Sequence, residues 1–273
     1  MPFKYPSLRT TLPIAGYHAR LDAGAAATDQ FTADGSQDGT LTNGATRAGS
    51  PLAYSLDGTD DFINLGDTAA LGFVGTGKKF TVSAWVNFDV LPVSFCIASK
   101  ARNATFNSGW SFDVSSSAGV YRLRAATADG FFGNRLISRA TITIATGVFY
   151  HVAVTFDGAL TPANAFKFYL NGVLLTTIND ESDTTQIASN ALTAKIGAID
   201  STANPGTPAG LFDGFIDDCV IYDITVSAAN IGHLASQRGA IYAVTSAGRL
   251  INGTSLVRPA GTADHSPLII GAT

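Results

Sequence analysis

Short runs in which apolar and polar side chains alternate recur along most of the chain, separated by turns containing Gly, Asn and Asp. Successive side chains of a strand point to opposite faces, so such runs predict half-buried strands. The clearest is Phe80–Phe88. There Phe80, Val82, Ala84, Val86 and Phe88 oppose Thr81, Ser83, Trp85 and Asn87, with Trp85 expected to pack inside. Phe149–Phe156 repeats the pattern through Tyr150, Val152, Val154 and Phe156, which makes His151 a hydrogen-bonded structural histidine rather than a base. Further strands are predicted at Ser94–Lys100, Gly109–Val114, Tyr121–Ala126, within Phe131–Thr146, and at Ala194–Ala198. Two hairpins stand out: Ala53–Leu65 around Asp57-Gly58, and Phe166–Thr177 around Asn171-Gly172. Asn-Gly and Asp-Gly suit tight hairpins because the turn residues need positive φ. Ala23–Gly49 is dense in turn signals, with Gly39-Thr40-Leu41 a strand start, and the polar run Asn179–Asn190 reads as a loop.

Leu211–Asp223 (LFDGFIDDCVIYD) is an apolar strand carrying two adjacent acids, Asp217 and Asp218. A regular strand puts Ile216, Asp218, Val220 and Tyr222 on one face and Phe215, Asp217, Cys219 and Ile221 on the other. Each acid then sits among apolar neighbours, a costly arrangement unless it is hydrogen-bonded, paired or bound to a metal. Ser227–Arg238 is the one good helix, with Ser227 able to cap it and Gly239 to stop it. A dozen or more short strands with a single helix predict an all-β sandwich or barrel. The chain divides into an arm at 1–16, one domain at 17–238 and a C-terminal extension at 239–273.

Composition narrows the function. The 273 residues are long enough for one large β domain, and charged residues make up 14% of them, against roughly 25% in ordinary soluble domains. The net charge of −4 with no basic run argues against nucleic acid as a partner, and no apolar run approaches a membrane span. The first 22 residues lack a signal-peptide core, so a cytoplasmic setting, or export by another route, is expected. Cys96 and Cys219 lie in apolar runs and are expected as buried free thiols, with a single disulfide between them the alternative. The motifs of serine hydrolases, zinc proteases and phosphate-binding loops are absent, and the four histidines are scattered.

Taken in order, YSLDGTDDFINL (Tyr54–Leu65), FTVSAWVNF (Phe80–Phe88), HVAVTFDG (His151–Gly158), FYLNG (Phe168–Gly172), KIGA (Lys195–Ala198) and FDGFIDDCVIYD (Phe212–Asp223) resemble the laminin-G-like, concanavalin A-like jelly-roll domains. Ser227–Leu234 is similar to that family's terminal helix. The resemblance covers about residues 17–238 and departs from the pattern around 101–145 and after Gly239. It implies a two-sheet antiparallel jelly-roll β-sandwich with one short helix near the C-terminus, often with a structural calcium. Glycosidases of this fold carry Glu-x-Asp-x-x-Glu on one strand. This chain has a single glutamate, Glu181, in a polar stretch. Asp217 and Asp223 are six strand residues apart, roughly 20 Å, beyond the separation of a glycosidase pair. The protein is therefore expected not to be an enzyme.

Calcium takes six to eight oxygens from carboxylates and turn carbonyls. Asp57, Gly58, Asp60 and Asp61 offer such a turn, and the resemblance implies that Asp217 or Asp218 completes the shell from a neighbouring strand; the alternative is that Asp57 and Asp60 only accept backbone N–H groups of the turn. Sugar recognition calls for exposed aromatics; Trp110, Tyr121, Phe131 and Phe132, with Phe106, are the candidates, each of which taken singly reads as core, and Phe131-Phe132 after Asp129-Gly130 stands out. Two functional classes follow. The first is a non-enzymatic bacteriophage virion component (capsid decoration, fibre or tail), assembled in the host cytoplasm, contacting other virion proteins, copies of itself or glycans. The second is an exported, extracellular bacterial carbohydrate-binding or adhesion module.

Overall fold

The computed structural model describes residues 14–17, 19, 25–27, 38–102, 108–131, 134–201, 207–236, 238, 242–244 and 250–252. Most of the predicted arm and most of the C-terminal extension lie outside the described residues. The strands are, in chain order, β1 (Ala15–Tyr17), β2 (Ala26–Ala27), β3 (Gly39–Thr42), β4 (Thr46–Ala48), β5 (Ala53–Asp57), β6 (Phe62–Gly66) and β7 (Lys79–Phe88). They continue with β8 (Ser94–Ala101), β9 (Ser108–Ser117), β10 (Val120–Asp129), β11 (Arg135–Ile142), β12 (Phe149–Asp157), β13 (Phe166–Leu170) and β14 (Val173–Leu174). β15 (Ile178–Ser182), β16 (Ala194–Ile196), β17 (Ile199–Asp200), β18 (Pro208–Ala209) and β19 (Asp213–Tyr222) complete the body. Beyond it, Tyr242–Val244 pairs with Leu250–Asn252.

Two large sheets form an antiparallel jelly-roll sandwich, as expected. One runs β14-β13-β12-β7-β19-β5-β4, with β1 also paired to β19, and the other runs β15-β11-β10-β9-β8-β16-β6-β3-β2. The alternation read from sequence places the core. Phe80, Val82, Ala84, Val86 and Phe88 of β7 and Val152, Val154 and Phe156 of β12 face Ile97, Phe112, Val114, Leu123 and Leu136 of the opposite sheet. Trp85 departs from the expectation. It shares the outer face with Ser83 and Asn87, half-buried, edge-on to His151 with ring centroids 5.5 Å apart.

β19 is not regular. Between Asp217 and Val220 its register on β7 slips, and Asp218 takes φ +46°. This is a β-bulge, the insertion of one extra residue that re-aims the strand. Ile216, Cys219 and Ile221 therefore point into the core, while Val220 and Tyr222 point outward beneath the helix. The even–odd division expected from a regular strand fails at this point. The bulge falls where the neighbour of β19 changes. Asp213–Ile216 pair with β5, whereas Cys219–Ile221 pair with β1.

The helix, α1 (Ala228–Leu234), starts where predicted, with Ser227 Oγ accepting the Asn230 N–H at 3.3 Å. Ile231 packs on Val220, Tyr222, Ala153 and Tyr169. The helix ends at Leu234 rather than Arg238, and the chain carries Arg238 across the sheet, its guanidinium 3.7 Å from the centre of the Phe149 ring. Asn171 and Gly172 both have positive φ, as the hairpin requires, and that turn lies against Gly232 of the helix. The polar run at 179–190 is not all loop: β15 is an edge strand on β11, held by Ser138–Asn179 at 2.6 Å, Arg139–Asp180 at 3.0 Å and Arg135–Glu181. After Ile178 its side chains are Asn, Asp, Glu and Ser, so hydrophobic alternation carries no trace of it. Both cysteines are buried and free.

His151 is 1% exposed, hydrogen-bonded to Ser83 Oγ through Nε2 at 2.8 Å. Burial pushes its pKa down to about 4, from an ordinary 6.5. The unfolded chain takes up this proton near 6.5 and the folded one only near 4. Stability is thus fully present above pH 6.5 and is lost as pH falls towards 4, by up to about 3 kcal/mol. Thermal unfolding between pH 7 and 4 is expected to show this decline, and His151→Gln is expected to flatten it.

Candidate functional site

The turn from β5 to β6 gathers three acids. The Asp57 carboxylate ends β5 and accepts N–H groups of Thr59 at 2.8 Å and Asp60 at 3.4 Å, an Asx turn. Asp57 N–H in turn donates to Asp61 Oδ2 at 3.1 Å, and Asn43 Nδ2 holds the Asp60 carbonyl at 2.9 Å. Asp57, Asp60 and Asp61 each offer a carboxylate oxygen within 4.8 Å of the others. Gly58 is required here: its φ is +70°, and a Cβ would lie 2.7 Å from Cβ of Asp213 across the ladder. Asp61 is 4% exposed and its Oδ1 has no hydrogen-bond partner. Burial first, then the charges of Asp57 and Asp60, raise its pKa, whereas the N–H bonds led by Thr59 lower that of exposed Asp57.

An orphaned, buried carboxylate oxygen between two further acids fits a hard divalent cation, because a cation replaces the missing hydrogen bond and removes the repulsion. The other two predicted ligands are not brought to this turn. The acid of β19 opposite Asp57 is Asp213. Asp217 lies four residues further on, roughly 13 Å along the strand. It sits at the junction of β5 and β1, where Oδ1 accepts the Ala19 N–H at 3.4 Å and Oδ2 meets Arg238 at 3.5 Å. Asp218 occupies the bulge itself.

The aromatic candidates separate in the same way. Trp110 belongs to the core, with its ring against Phe73 and Phe80 and its indole N–H donating to the Leu71 carbonyl at 2.6 Å. Tyr121 is half-buried against the core. Phe132 and Phe106 lie outside the described residues. Phe131 is 69% exposed on the β10–β11 turn, which is pinned by Asp129 to the Phe131 N–H at 3.0 Å and to Asn134 Nδ2 at 3.3 Å. Gly130, just before it, packs against Ala188.

Ala188 also lines a cleft of about 580 Å³ at that end of the sandwich. Phe73 and Val74 supply its apolar wall, and Asp67, Lys78, Lys100 and Asp223 its charges. Lys100 is buried and held by Asp67 and the Leu192 carbonyl. Asn190 braces the same wall, giving Nδ2 to the Lys100 carbonyl at 3.1 Å and accepting Leu192 N–H at 3.2 Å. Sequence reading missed this cleft. Its residues come from four separated segments with no shared motif, and the only local signal was the exposed Phe131 beside it.

A two-sheet antiparallel sandwich with its pocket formed by end loops defines a lectin-type jelly-roll module. The model of the concanavalin A-like lectin/glucanases superfamily matches residues 57–232, and the chain belongs to that family. Among curated protein sequences none matches this chain. Similar solved structures include domain 4 of a GH43 extracellular arabinanase from Geobacillus stearothermophilus, in complex with arabinotriose, at TM-score 0.53 and 21% identity over 83% of this chain and 99% of that one. The binding domain of botulinum neurotoxin serotype D/C is similar at TM-score 0.56 and 16% identity over 82% of this chain and 51% of that one. The binding domain of Paraclostridial Mosquitocidal Protein 1 gives TM-score 0.57 and 14% identity, over 82% and 51%. This chain spans about half the length of those two toxin domains. At these identities the likeness is one of fold.

If the turn takes calcium, a concentration about a hundredfold above Kd raises stability by about 2.7 kcal/mol over the chelated protein. Asp61→Ala is expected to abolish that rise. Asp217→Ala, which strips Arg238 of its carboxylate, is expected to cost about 2–3 kcal/mol while leaving the calcium rise intact. Because the Asp61 carboxyl takes up its proton at higher pH than an ordinary aspartate, the calcium rise should shrink as pH falls through that titration. Melting temperatures of the three proteins, with calcium and with chelator, check all of this.

Proposed function

We propose that the protein is a non-enzymatic carbohydrate-binding module with a calcium-stabilised β5–β6 turn. The observation that carries the reading is the pairing of a rigidly mounted, exposed Phe131 with a polar cleft whose lining includes Ala188, the residue that Gly130 packs against. Sugar rings present an apolar C–H face to an aromatic ring and hydroxyls to charged or amide groups, and both are supplied here. The chemistry of catalysis finds no support at the cleft. Its two carboxylates, Asp67 and Asp223, lie among lysines, Asp67 is committed to Lys100, and the chain's one glutamate is paired with Arg135 on the edge strand. The arabinotriose bound by the arabinanase domain supports sugar as the ligand class, through likeness of fold. The virion setting expected from sequence draws no support from these neighbours.

Calorimetric titration against a panel of neutral oligosaccharides, arabinotriose among them, tests the proposal. The protein is expected to bind at least one without releasing new reducing ends. Phe131→Ala should weaken that binding about tenfold, or about 1.4 kcal/mol. No binding across the panel, or wild-type binding by Phe131→Ala, would overturn it.

A further inference from the structure

The charges around the cleft are matched one against one. Lys79 reaches Asp157 at 2.7 Å, and Lys100 is buried against Asp67. That leaves Lys78 and Asp223, both exposed and lining the cleft from different segments, as the one ammonium and the one carboxylate outside these ion pairs. The amide of Asn190 is already spent on the Lys100 carbonyl and the Leu192 N–H. A ligand therefore meets one cationic donor, Lys78, and carboxylate acceptors on Asp223 and the half-exposed Asp67.

We infer that the cleft selects short, uncharged oligosaccharides over acidic or amino sugars, an inference that rests on the glycan-binding reading above. A hydroxyl both donates and accepts, so a neutral sugar can use Lys78 and Asp223 together, each through a charge-assisted hydrogen bond. A chain of uronates gains at Lys78 but must bring its carboxylates beside Asp67 and Asp223. A chain of glucosamines gains at Asp223 but must bring its ammonium groups beside Lys78. Like charges brought together in a partly desolvated cleft cost more than a solvated ion pair returns. The volume of about 580 Å³ suits a ligand a few rings long, with the exposed Val74 against a ring face.

The test compares trisaccharides of equal length on the whole protein at low ionic strength: arabinotriose, cellotriose and xylotriose as neutral probes, trigalacturonate as the anion, and the glucosamine trimer as the cation. The expected result is that the best neutral probe binds at least tenfold more tightly than either charged one. Asp223→Lys should shift the cleft towards trigalacturonate, and Lys78→Glu towards the glucosamine trimer, each by tenfold or more relative to the neutral probe. Binding of a charged trimer as tight as the best neutral one, or no shift in either variant, overturns the selectivity and leaves the glycan-binding reading standing. If no probe binds, neutral or charged, the glycan-binding reading falls and the selectivity falls with it.

Discussion

β7 lines one edge of β19, the other edge is shared by two neighbours, and the sheet depends on how that change of partner is closed. β5 pairs with its first half and β1 with its second. A gap between two strand ends exposes backbone N–H groups inside a packed sheet, a burden of the order of 1–3 kcal/mol for each group left unmade. The chain meets it with a bulge and two acids. Asp217 turns outward, accepts the Ala19 N–H from beyond the end of β1 and holds Arg238. The extra residue, Asp218, adopts a left-handed conformation that Asp tolerates better than most. The slip also sets which residues face inward: Cys219 and Ile221 to the core, Val220 and Tyr222 to the helix.

Much of the outer face of that sheet follows from the same junction. The helix packs on the residues the bulge has turned outward, and beyond it Arg238 spans Asp217, the Phe149 ring and the Pro51 carbonyl. The acids that drew attention as catalytic or metal-binding candidates are thus hydrogen-bond acceptors at a seam in Asp217, and the bulge residue in Asp218. The cation-like arrangement lies elsewhere, at the β5–β6 turn, where Asp61 is buried by the packing of its neighbours and left with an unmatched oxygen. The cleft lies apart from both features, framed by loops at the end where Lys78, Ala188 and Asp223 converge. Rigid sheets leave those loops free to carry binding chemistry.

The alternation of Phe80–Phe88 and Phe149–Phe156, the hairpin at Asn171-Gly172, the cap at Ser227 and the acidic turn at Asp57–Asp61 were legible from sequence, because each depends on the local periods and φ demands of its own residues. The Asp-Gly turn singled out Phe131, but its exposure was not legible, since each aromatic taken singly reads as core. What was not legible required knowing neighbours. The polar edge strand β15 is stabilised by Ser138, Arg135 and Arg139 across the ladder, so its own composition reads as loop. Trp110 could be read from sequence either as core or as a sugar-binding aromatic, and the bond from its indole to the Leu71 carbonyl places it in the core. The strand periodicity of β19 held on either side of Asp217-Asp218 and failed between them, since nothing in DD signals that β5 ends and β1 begins there. Sequence alone therefore determined most of the strands, the inward faces of the regular ones and a single acidic turn. Tertiary structure decided which acid faces which strand, which aromatic reaches solvent, and that Lys78, Asp223 and the loop before Phe131 share one end of the sandwich, because those relations are set by contacts between residues far apart in the chain.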